Sequence, residues 1–152
     1  MTDIEQKVLD QTNEHIETVR SYLNKIANEL KRRADCHDDS KLKDPEWPIF
    51  LEYTPKLWDT PFGSPEYEQN LKGMKVGLDH HYASNSHHPQ FYENGILDMS
   101  LCDLIEMMCD WKAATLRHKD GSMEKSFDIN RERFEIPSHI EFLLRLIVKE
   151  ME

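Results

Sequence analysis

The sequence predicts an all-α protein, a single compact domain over residues 1–152 with about five to seven helices. Three observations lead to this prediction. Several segments repeat apolar residues at three- and four-residue steps, which is the period of one helix face. No segment of four or more residues alternates convincingly as a half-buried strand does. The chain of 152 residues is long enough to enclose one hydrophobic core.

The first predicted helix covers residues 3–33, where neither Gly nor Pro interrupts the apolar repeat. The repeat consists of Ile16, Val19, Leu23, Ile26, Ala27 and Leu30. His15 lies at the border of this stripe. Residues 34–41 follow as a compact polar segment that contains the letters CHDDSK.

Residues 42–65 are predicted to form turns and an aromatic-rich loop, with at most a short hairpin between Pro55 and Pro65. Five prolines argue against a long regular helix there. The next helix begins at Ser64 and Pro65, as N-cap and first helical position. Its apolar face comprises Tyr67, Leu71, Met74, Leu78 and His81. His81 is therefore predicted to point inward, whereas His80 lies about 100° away, nearer the rim.

Residues 82–95 are predicted to form an ordered loop that returns His87 and His88 to the end of the preceding helix. Pro89 restricts His88 to an extended conformation, in which consecutive side chains diverge. One of these two histidines should therefore face the interior, while the other braces the loop.

The remaining elements are a helix over residues 101–118, a polar stretch over 119–133 and a last helix after Pro137. The first of these helices presents one apolar face formed by Leu101, Leu104, Ile105 and Met108. Asp103 and Glu106 are predicted to lie on its exposed face. A turn is expected at Asp120-Gly121. The last helix is predicted to bury Ile140, Leu143, Leu144 and Ile147.

The composition excludes some classes of partner. The net charge is −10, from 19 Lys and Arg against 29 Asp and Glu, so a basic footprint for duplex nucleic acid or an anionic membrane is missing. Three cysteines fit no zinc-finger spacing. Because we find neither a secretory signal nor an apolar run near 18 residues, the sequence predicts a cytoplasmic protein.

Histidines and aspartates are grouped in a way that points to a metal site. Six of the eight histidines fall in clusters or on the core-facing helix: His15, His37, His80, His81, His87 and His88. His37 is followed directly by Asp38. Neutral imidazole together with carboxylate suits Mn, Fe, Co, Ni or Zn. A metal held this way keeps positions open for water, lowers the pKa of that water and polarises a phosphoryl oxygen.

The order His15, then His37-Asp38, then Asp110 resembles the H…HD…D order of the HD-domain superfamily of metal-dependent phosphohydrolases. Four stretches resemble more closely a small uncharacterised HD-like family from phages and bacteria. They are HIETVRSYL, HDDSKL with Pro45-Glu46, HHYASNSHHP and DLIEMMCDWKAA. The resemblance covers residues 14–118, about two thirds of the chain. It is specific because the order and the approximate spacing of the linked motifs agree.

The resemblance implies an HD-type helical domain that binds one or two divalent ions (Mn, Fe, Co, Ni, Zn or Mg). The implied ligands of one ion are His15, His37, Asp38 and Asp110. Members of the superfamily with two ions add histidines between the HD pair and the final Asp. The matching positions here are His81, His87 and His88.

This sequence departs from the nucleotidase branch, in which a glutamate three residues after the HD pair often orients water. Lys41 occupies that position here, and either Glu46 substitutes for the glutamate or the mechanism differs. Lys41 either binds the phosphate of the substrate or is simply solvated. Arg117 either orients Asp110 or holds phosphate.

The leading hypothesis is hydrolysis of a nucleotide or a nucleotide-like phosphate ester by metal-activated water. His81, His87, His88, Lys41 and Glu46 are the candidate catalytic residues. The alternatives are a di-iron oxygenase of the HD fold, and a non-catalytic protein that sequesters a nucleotide or blocks a host partner. The expected partner is thus a small phosphate compound and neither duplex nucleic acid nor a membrane, and an oligomer is left open.

Overall fold

A computed structural model describes residues 1–58, 60, 64–116 and 121–152, and this part of the chain is helical without any strand. It contains α1 (Asp3–Cys36), α2 (Glu46–Trp58), α3 (Pro65–Ser84), α4 (Leu101–Thr115), α5 (Met123–Arg133) and α6 (Ser138–Lys149). Short 3-10 helices cover Asp39–Leu42, Pro89–Phe91 and Gly95–Asp98. The all-α prediction is confirmed. Arg117, Asp120 and part of the segment predicted as a hairpin lie outside the described residues.

The described chain divides into two compact units, Met1–Cys36 and His37–Glu152. The first unit consists of α1 alone, which confirms the predicted helix and extends it by three residues. Asp3 and Glu5 in its first turn and Arg33 in its last turn complement the helix dipole. No residue of α1 is buried. The single domain expected over residues 1–152 stays a prediction, and the two units are described separately.

The predicted loop over residues 42–65 is wrong, because Glu46–Trp58 forms a helix, α2. Pro48 lies in the first turn, where a backbone N–H has no intrahelical partner, and Pro55 lies in the last turn. Packing against α3 compensates for Pro55, which lacks the N–H that would bond within the helix. A Cβ atom on Gly73 of α3 would collide with the Tyr53 ring, so glycine allows the two helices to approach closely.

Side chains cap α3 and α4 at their first turns. Ser64 Oγ accepts a hydrogen bond from Tyr67 N at 3.1 Å, as the N-cap prediction for α3 requires. At α4, Ser100 and Asp103 form a capping box, in which each side chain accepts a hydrogen bond from the other residue's backbone N–H. Each of these helices thus starts at a residue that satisfies its own free backbone donors.

The predicted polar stretch over residues 119–133 is also corrected, because Met123–Arg133 forms α5. Phe127 is buried on this helix, and Arg133 ends it. Glu135 has φ 49°, and Ile136 N donates to Arg131 O at 3.0 Å, a bond typical of a left-handed helix end. A single buried aromatic residue was too weak a signal for a helix.

The core of the His37–Glu152 unit lies among α4, α5 and α6. Its buried apolar residues are Ile96, Met99, Leu104, Met107, Met108, Trp111, Phe127, Ile136, Leu144 and Val148. The Trp111 ring packs edge-on against Phe127 at 6.3 Å and stacks on Phe134 at 6.2 Å between centroids. Among the residues predicted to be buried, Leu104, Met108 and Leu144 are confirmed, whereas Leu101 and Leu143 are exposed. None of the helices in the described residues combines the length and the apolarity needed to cross a bilayer.

Asp103 is buried, and its predicted position on an exposed face is wrong. Its carboxylate accepts hydrogen bonds from Ser86 Oγ at 2.6 Å, Tyr92 OH at 2.8 Å and Ser100 N at 2.8 Å. Burial alone would raise the pKa of Asp103, but these hydrogen bonds, first among them those from Ser100, outweigh burial and lower it to about 2. The carboxylate therefore ties the loop before α4 to the start of that helix.

Replacing Asp103 with alanine should lower the free energy of unfolding by about 2 kcal/mol at pH 7. Because the pKa is lower in the folded state, this contribution is complete above pH ~4 and is lost as pH falls towards ~2. Urea denaturation of both proteins from pH 7 to pH 3 would measure it. Asp128→Ala, at an exposed position on α5, is the control. A difference that stays constant over this range would contradict the assignment.

Candidate metal centre

Asp38 lies at a sharp turn at the start of the second unit. Its backbone has φ 59° and ψ 15°, a left-handed conformation that Asp adopts more readily than most residues. The next turn is closed by a hydrogen bond from Lys41 N to Asp38 O at 2.8 Å. Lys41 Nζ bonds to Asp38 Oδ2 at 2.5 Å. The turn leaves the other carboxylate oxygen, Oδ1, facing the interior.

The helical phase of α3 correctly predicted the orientations of its two histidines. His81 is buried with 1% of its surface exposed, whereas the side chain of His80 is 43% exposed. His81 Nε2 lies 3.3 Å from Asp38 Oδ1. The inward position of His81 and the rim position of His80 are therefore confirmed.

The prediction that His87 and His88 diverge is wrong, because both rings turn towards Asp38 and His81. His87 Nε2 lies 3.4 Å from Asp38 Oδ1, and His88 Nε2 lies 2.8 Å from His81 Nε2. His88 is extended before Pro89, as expected, but the chain reverses here through a hydrogen bond from His88 N to Asn85 O. In such a turn consecutive side chains do not alternate as they do in a strand.

One carboxylate and three imidazoles thus converge on one point. Asp38, His81, His87 and His88 each offer a ligand atom, and these atoms lie within 4.8 Å of one another. Asp38 Oδ1 and His87 Nε2 are buried, and neither has a hydrogen-bond partner among the described residues. Because an unpaired buried polar atom is costly, two such atoms that face each other mark a place where a cation could bind.

Two of the distances between ligand atoms in the cluster fit a divalent ion. Tetrahedral zinc with bonds of about 2.0–2.1 Å separates its ligand atoms by about 3.3–3.4 Å. The distances from Asp38 Oδ1 to His81 Nε2 and to His87 Nε2 are 3.3 and 3.4 Å. Imidazole with carboxylate suits the borderline transition metals in general. The described residues could therefore hold such a metal here.

The electrostatics of the cluster match this role. Burial, together with His87 and His81, lowers the pKa of His88 to about 3, so its ring is neutral. Burial and Lys41 also lower the pKa of His81. Burial disfavours the charged form of His87, but the carboxylates of Asp38 and Glu106 outweigh it and raise the pKa of His87 to about 9. Burial also disfavours the charged form of Asp38, but His87 and Lys41 hold the pKa of its carboxyl well below the usual range. In the absence of metal, the proton on His87 compensates the carboxylate charge.

Two carboxylates behind the cluster orient its imidazole rings. Glu46 is completely buried, and its two oxygens accept from His80 Nδ1 at 2.7 Å and from His81 Nδ1 at 3.0 Å. Glu106 Oε1 lies 3.3 Å from His87 Nδ1 and 2.8 Å from His37 Nδ1. A carboxylate that holds Nδ1–H fixes the tautomer and leaves Nε2 free to bind metal. Glu46 therefore acts from behind the ligands, whereas Glu106 could either do the same or, with His37 and His87, hold a metal itself.

Replacing Glu46 with glutamine should weaken metal binding about 10- to 100-fold, because this change keeps the size but removes the charge that orients His81. Titration of the metal-free protein with Zn²⁺ or Mn²⁺ in competition with a chelator would measure it. Glu52→Gln, at an exposed position on the same helix, should leave the affinity unchanged. Equal affinities for the two variants would remove Glu46 from the site.

A more open group adjoins the buried cluster on the other side of Asp38. His37 Nε2 lies 3.5 Å from Asp38 Oδ2 and 4.0 Å from Asp110 Oδ1. These three residues form another set that could hold a metal, besides the buried cluster and the set of His37, His87 and Glu106. Lys41 already bonds to the same Oδ2 atom. The buried cluster and this more open set thus share Asp38, and the ammonium group of Lys41 lies in the more open set.

The structure brings together most of the residues singled out in the sequence. His37, Asp38 and Asp110 lie in one group, and His81, His87 and His88 join Asp38 in the other. His15 is exposed on α1, in the unit described separately, and its predicted role as a ligand stays a prediction.

Glu106 is the residue that the sequence interpretation missed. It was assigned to an exposed face, but its side chain is only 13% exposed and it contacts two histidines. Its position one helical turn before Asp110 on α4 was the available signal, because residues four apart share a helix face. Ser40 and Asn85, which bond to each other at 2.8 Å beside His81, had no such signal.

Comparison with known proteins places the chain in a family without assigning it an activity. No curated protein and no solved structure matches it. A family model described as "Family of unknown function (DUF5662)" matches residues 4–150. The match spans both units and includes every residue of the candidate metal centre described above. The chain therefore belongs to the DUF5662 family.

Proposed function

We propose that the protein is a metal-dependent hydrolase of phosphate esters, with nucleotides or nucleotide-like molecules as the substrate class. The observation that carries the proposal is the pair of buried, unpartnered atoms, Asp38 Oδ1 and His87 Nε2, which face each other at 3.4 Å. The resemblance of the HD pair and Asp110 to metal-dependent phosphohydrolases supports the same reaction class.

Asp38, His81, His87 and His88 hold the metal in this proposal. A bound divalent ion would lower the pKa of water and polarise a phosphoryl oxygen. The three histidines therefore act as ligands and not as acid catalysts, since their Nε2 atoms point at the carboxylate or at one another. Glu46 keeps His81 in place and does not orient water, because histidines occupy both of its oxygens.

The more open group of His37, Asp38 and Asp110 binds the substrate and activates water in this proposal. Glu106 holds the proton of His37 on Nδ1, so the Nε2 lone pair is directed towards Asp38 and Asp110 and can accept a proton from water. Water oxygen then bonds to phosphorus, the bond to the leaving oxygen breaks, and that oxygen takes a proton. Lys41 is a cation beside this group and attracts the phosphate.

The test is phosphate release from a panel of nucleoside mono-, di- and triphosphates and an aryl phosphate, with protein reconstituted with Mn²⁺, Fe²⁺, Co²⁺ or Zn²⁺. His37→Ala should lower kcat at least about 100-fold while the buried cluster retains its metal. His139→Ala, an exposed histidine on α6, should leave kcat unchanged. Both the activity and the metal content are measured on the same samples.

The panel also separates the alternative functions. Tight nucleotide binding without turnover in any metal form would overturn the hydrolase proposal and favour sequestration. Two irons per chain with O₂-dependent turnover would overturn it in favour of an oxygenase. Release of phosphate that does not depend on added metal would also contradict it.

A further inference from the structure

We propose that α1 mediates dimerisation by pairing antiparallel with α1 of a second copy of the chain. The helix is 34 residues long, and it is the only element of its unit, every residue of which is described. An isolated helix in water gains most of its stability by packing an amphipathic face against something else. None of the residues of α1 is buried, so its apolar face needs a covering surface.

The apolar residues of α1 form a seam of the coiled-coil type. Leu9, Ile16, Leu23 and Leu30 recur every seven residues. Val19 and Ile26 each follow three residues after a member of that series. Two interleaved rows at seven-residue spacing are the pattern by which two helices interlock along their length. The seam is therefore suited to another long helix of similar pattern.

The seam is complementary to itself in the antiparallel direction. With a two-fold axis near Ser21, Ile16 lies opposite Ile26 of the second copy, and Val19 lies opposite Leu23 of the second copy. The four central layers therefore each pair an apolar residue of one row with one of the other row, whereas in the outer layers Leu30 lies opposite Thr12 and Leu9 lies opposite Arg33 of the second copy. Because such a two-fold symmetric interface is complete with two copies, the expected assembly is a dimer.

The charges of α1 select this direction. Residues 1–17 contain five acidic side chains and one basic, whereas residues 18–36 contain five basic and two acidic. An antiparallel pair sets the acidic half of each helix beside the basic half of the other. In the same register Glu17 and Asp10 lie at the same heights as Lys25 and Arg32 of the second copy, on the outer sides of the pair, so the attraction acts between the oppositely charged halves and not through contacting side chains. A parallel pair would instead juxtapose like charges.

Sedimentation of the full chain at 0.15 M salt should show a dimer. The double variant Asp10→Lys/Glu17→Lys should dissociate with a Kd at least ten-fold higher, and so should Lys25→Glu/Arg32→Glu. An equimolar mixture of these two variants should form a heterodimer, since each then offers what the other lacks. Glu132→Lys/Glu150→Lys makes the same charge change at exposed positions outside α1 and should leave the dimer intact. Circular dichroism checks that each variant is folded.

Distances between spin labels test the direction. In chains whose native cysteines are replaced by serine, labels at position 6 should lie about 45 Å apart in an antiparallel pair, because their levels differ by 30 residues. Labels at position 22, near the axis, should lie much closer together. A monomer, a dimer unaffected by the charge changes, or short distances at both positions would overturn the proposal.

Discussion

Replacing His87 with alanine should remove the metal from the buried cluster. We expect the metal content to fall from about one ion per chain to less than about a tenth, because the ligand opposite Asp38 is lost. The free energy of unfolding should fall with it, by about 4 kcal/mol where free metal exceeds its Kd a thousand-fold. Elemental analysis and thermal denaturation, with and without a chelator, measure the two effects.

The same loss is expected for His81→Ala, His88→Ala and Asp38→Ala, since each removes one of the four converging atoms. His139→Ala, which removes an exposed histidine from α6, should keep both the metal and the stability. If Asp38→Ala kept its full metal content, the centre would lie elsewhere. If the wild-type protein were no more stable with metal than without it, the coupling of binding to folding would be wrong.

The helices that could be predicted from the sequence are those whose own pattern carries the information. α1, α3, α4 and α6 each show an apolar repeat at helical spacing, and α3 also has the Ser64-Pro65 start. Local signals of this kind depend only on neighbours within a few residues. Such local patterns predict that a helix exists more reliably than they predict which of its residues are buried. Leu101, which lies on the predicted apolar face of α4 but is exposed, is an example.

The two helices that were missed depend on packing partners distant in the sequence. α2 contains two prolines, and close approach to α3 at Gly73 compensates for the second of them, Pro55. α5 has little beyond Phe127 to mark its inner face, and its packing against Trp111 becomes visible only in the fold. The helix propensity of the α2 sequence is low, and that of the α5 sequence gives no clear indication. Both helices therefore depend on tertiary contacts.

The candidate site shows the same division. His37, Asp38 and Asp110 could be named from the order of the motifs, and His81 from helical phase. The joint inward turn of His87 and His88 could not be predicted, because it depends on a chain reversal closed by Asn85. Glu106 was missed for a related reason. A carboxylate that orients a buried histidine cannot be told from a surface carboxylate until the histidine is located.

The hydrogen bonds of the buried cluster do not satisfy all of its polar atoms, which is why a metal could bind there. Desolvated imidazoles and a carboxylate cost stability unless each polar atom is satisfied. His88 and His81 share one hydrogen bond, but Asp38 Oδ1 and His87 Nε2 have no hydrogen-bond partner among the described residues. A single cation would satisfy all four ligand atoms at once, which the described side chains do not.

Replacing Lys41 with methionine should raise the number of bound ions from about one to about two per chain. The ammonium group bonds to Asp38 Oδ2, the oxygen that faces away from the buried cluster. His37 and Asp110 stand close to the same oxygen, at Nε2–Oδ2 and Nε2–Oδ1 distances of 3.5 and 4.0 Å. Without the lysine, this half-open group has the carboxylate charge and the imidazole that a second divalent ion requires.

On this prediction, Lys41 supplies the positive charge at Asp38 Oδ2 where His37, Asp38 and Asp110 could otherwise hold a second divalent ion. Equilibrium dialysis against Mn²⁺ or Co²⁺, followed by elemental analysis, would count the ions. Lys72→Met, which removes an exposed lysine from α3, should leave one ion per chain. A Lys41→Met protein that still binds one ion would show that His37 and Asp110 are not metal ligands. Their part would then be confined to the substrate and its proton, as proposed for the wild-type protein.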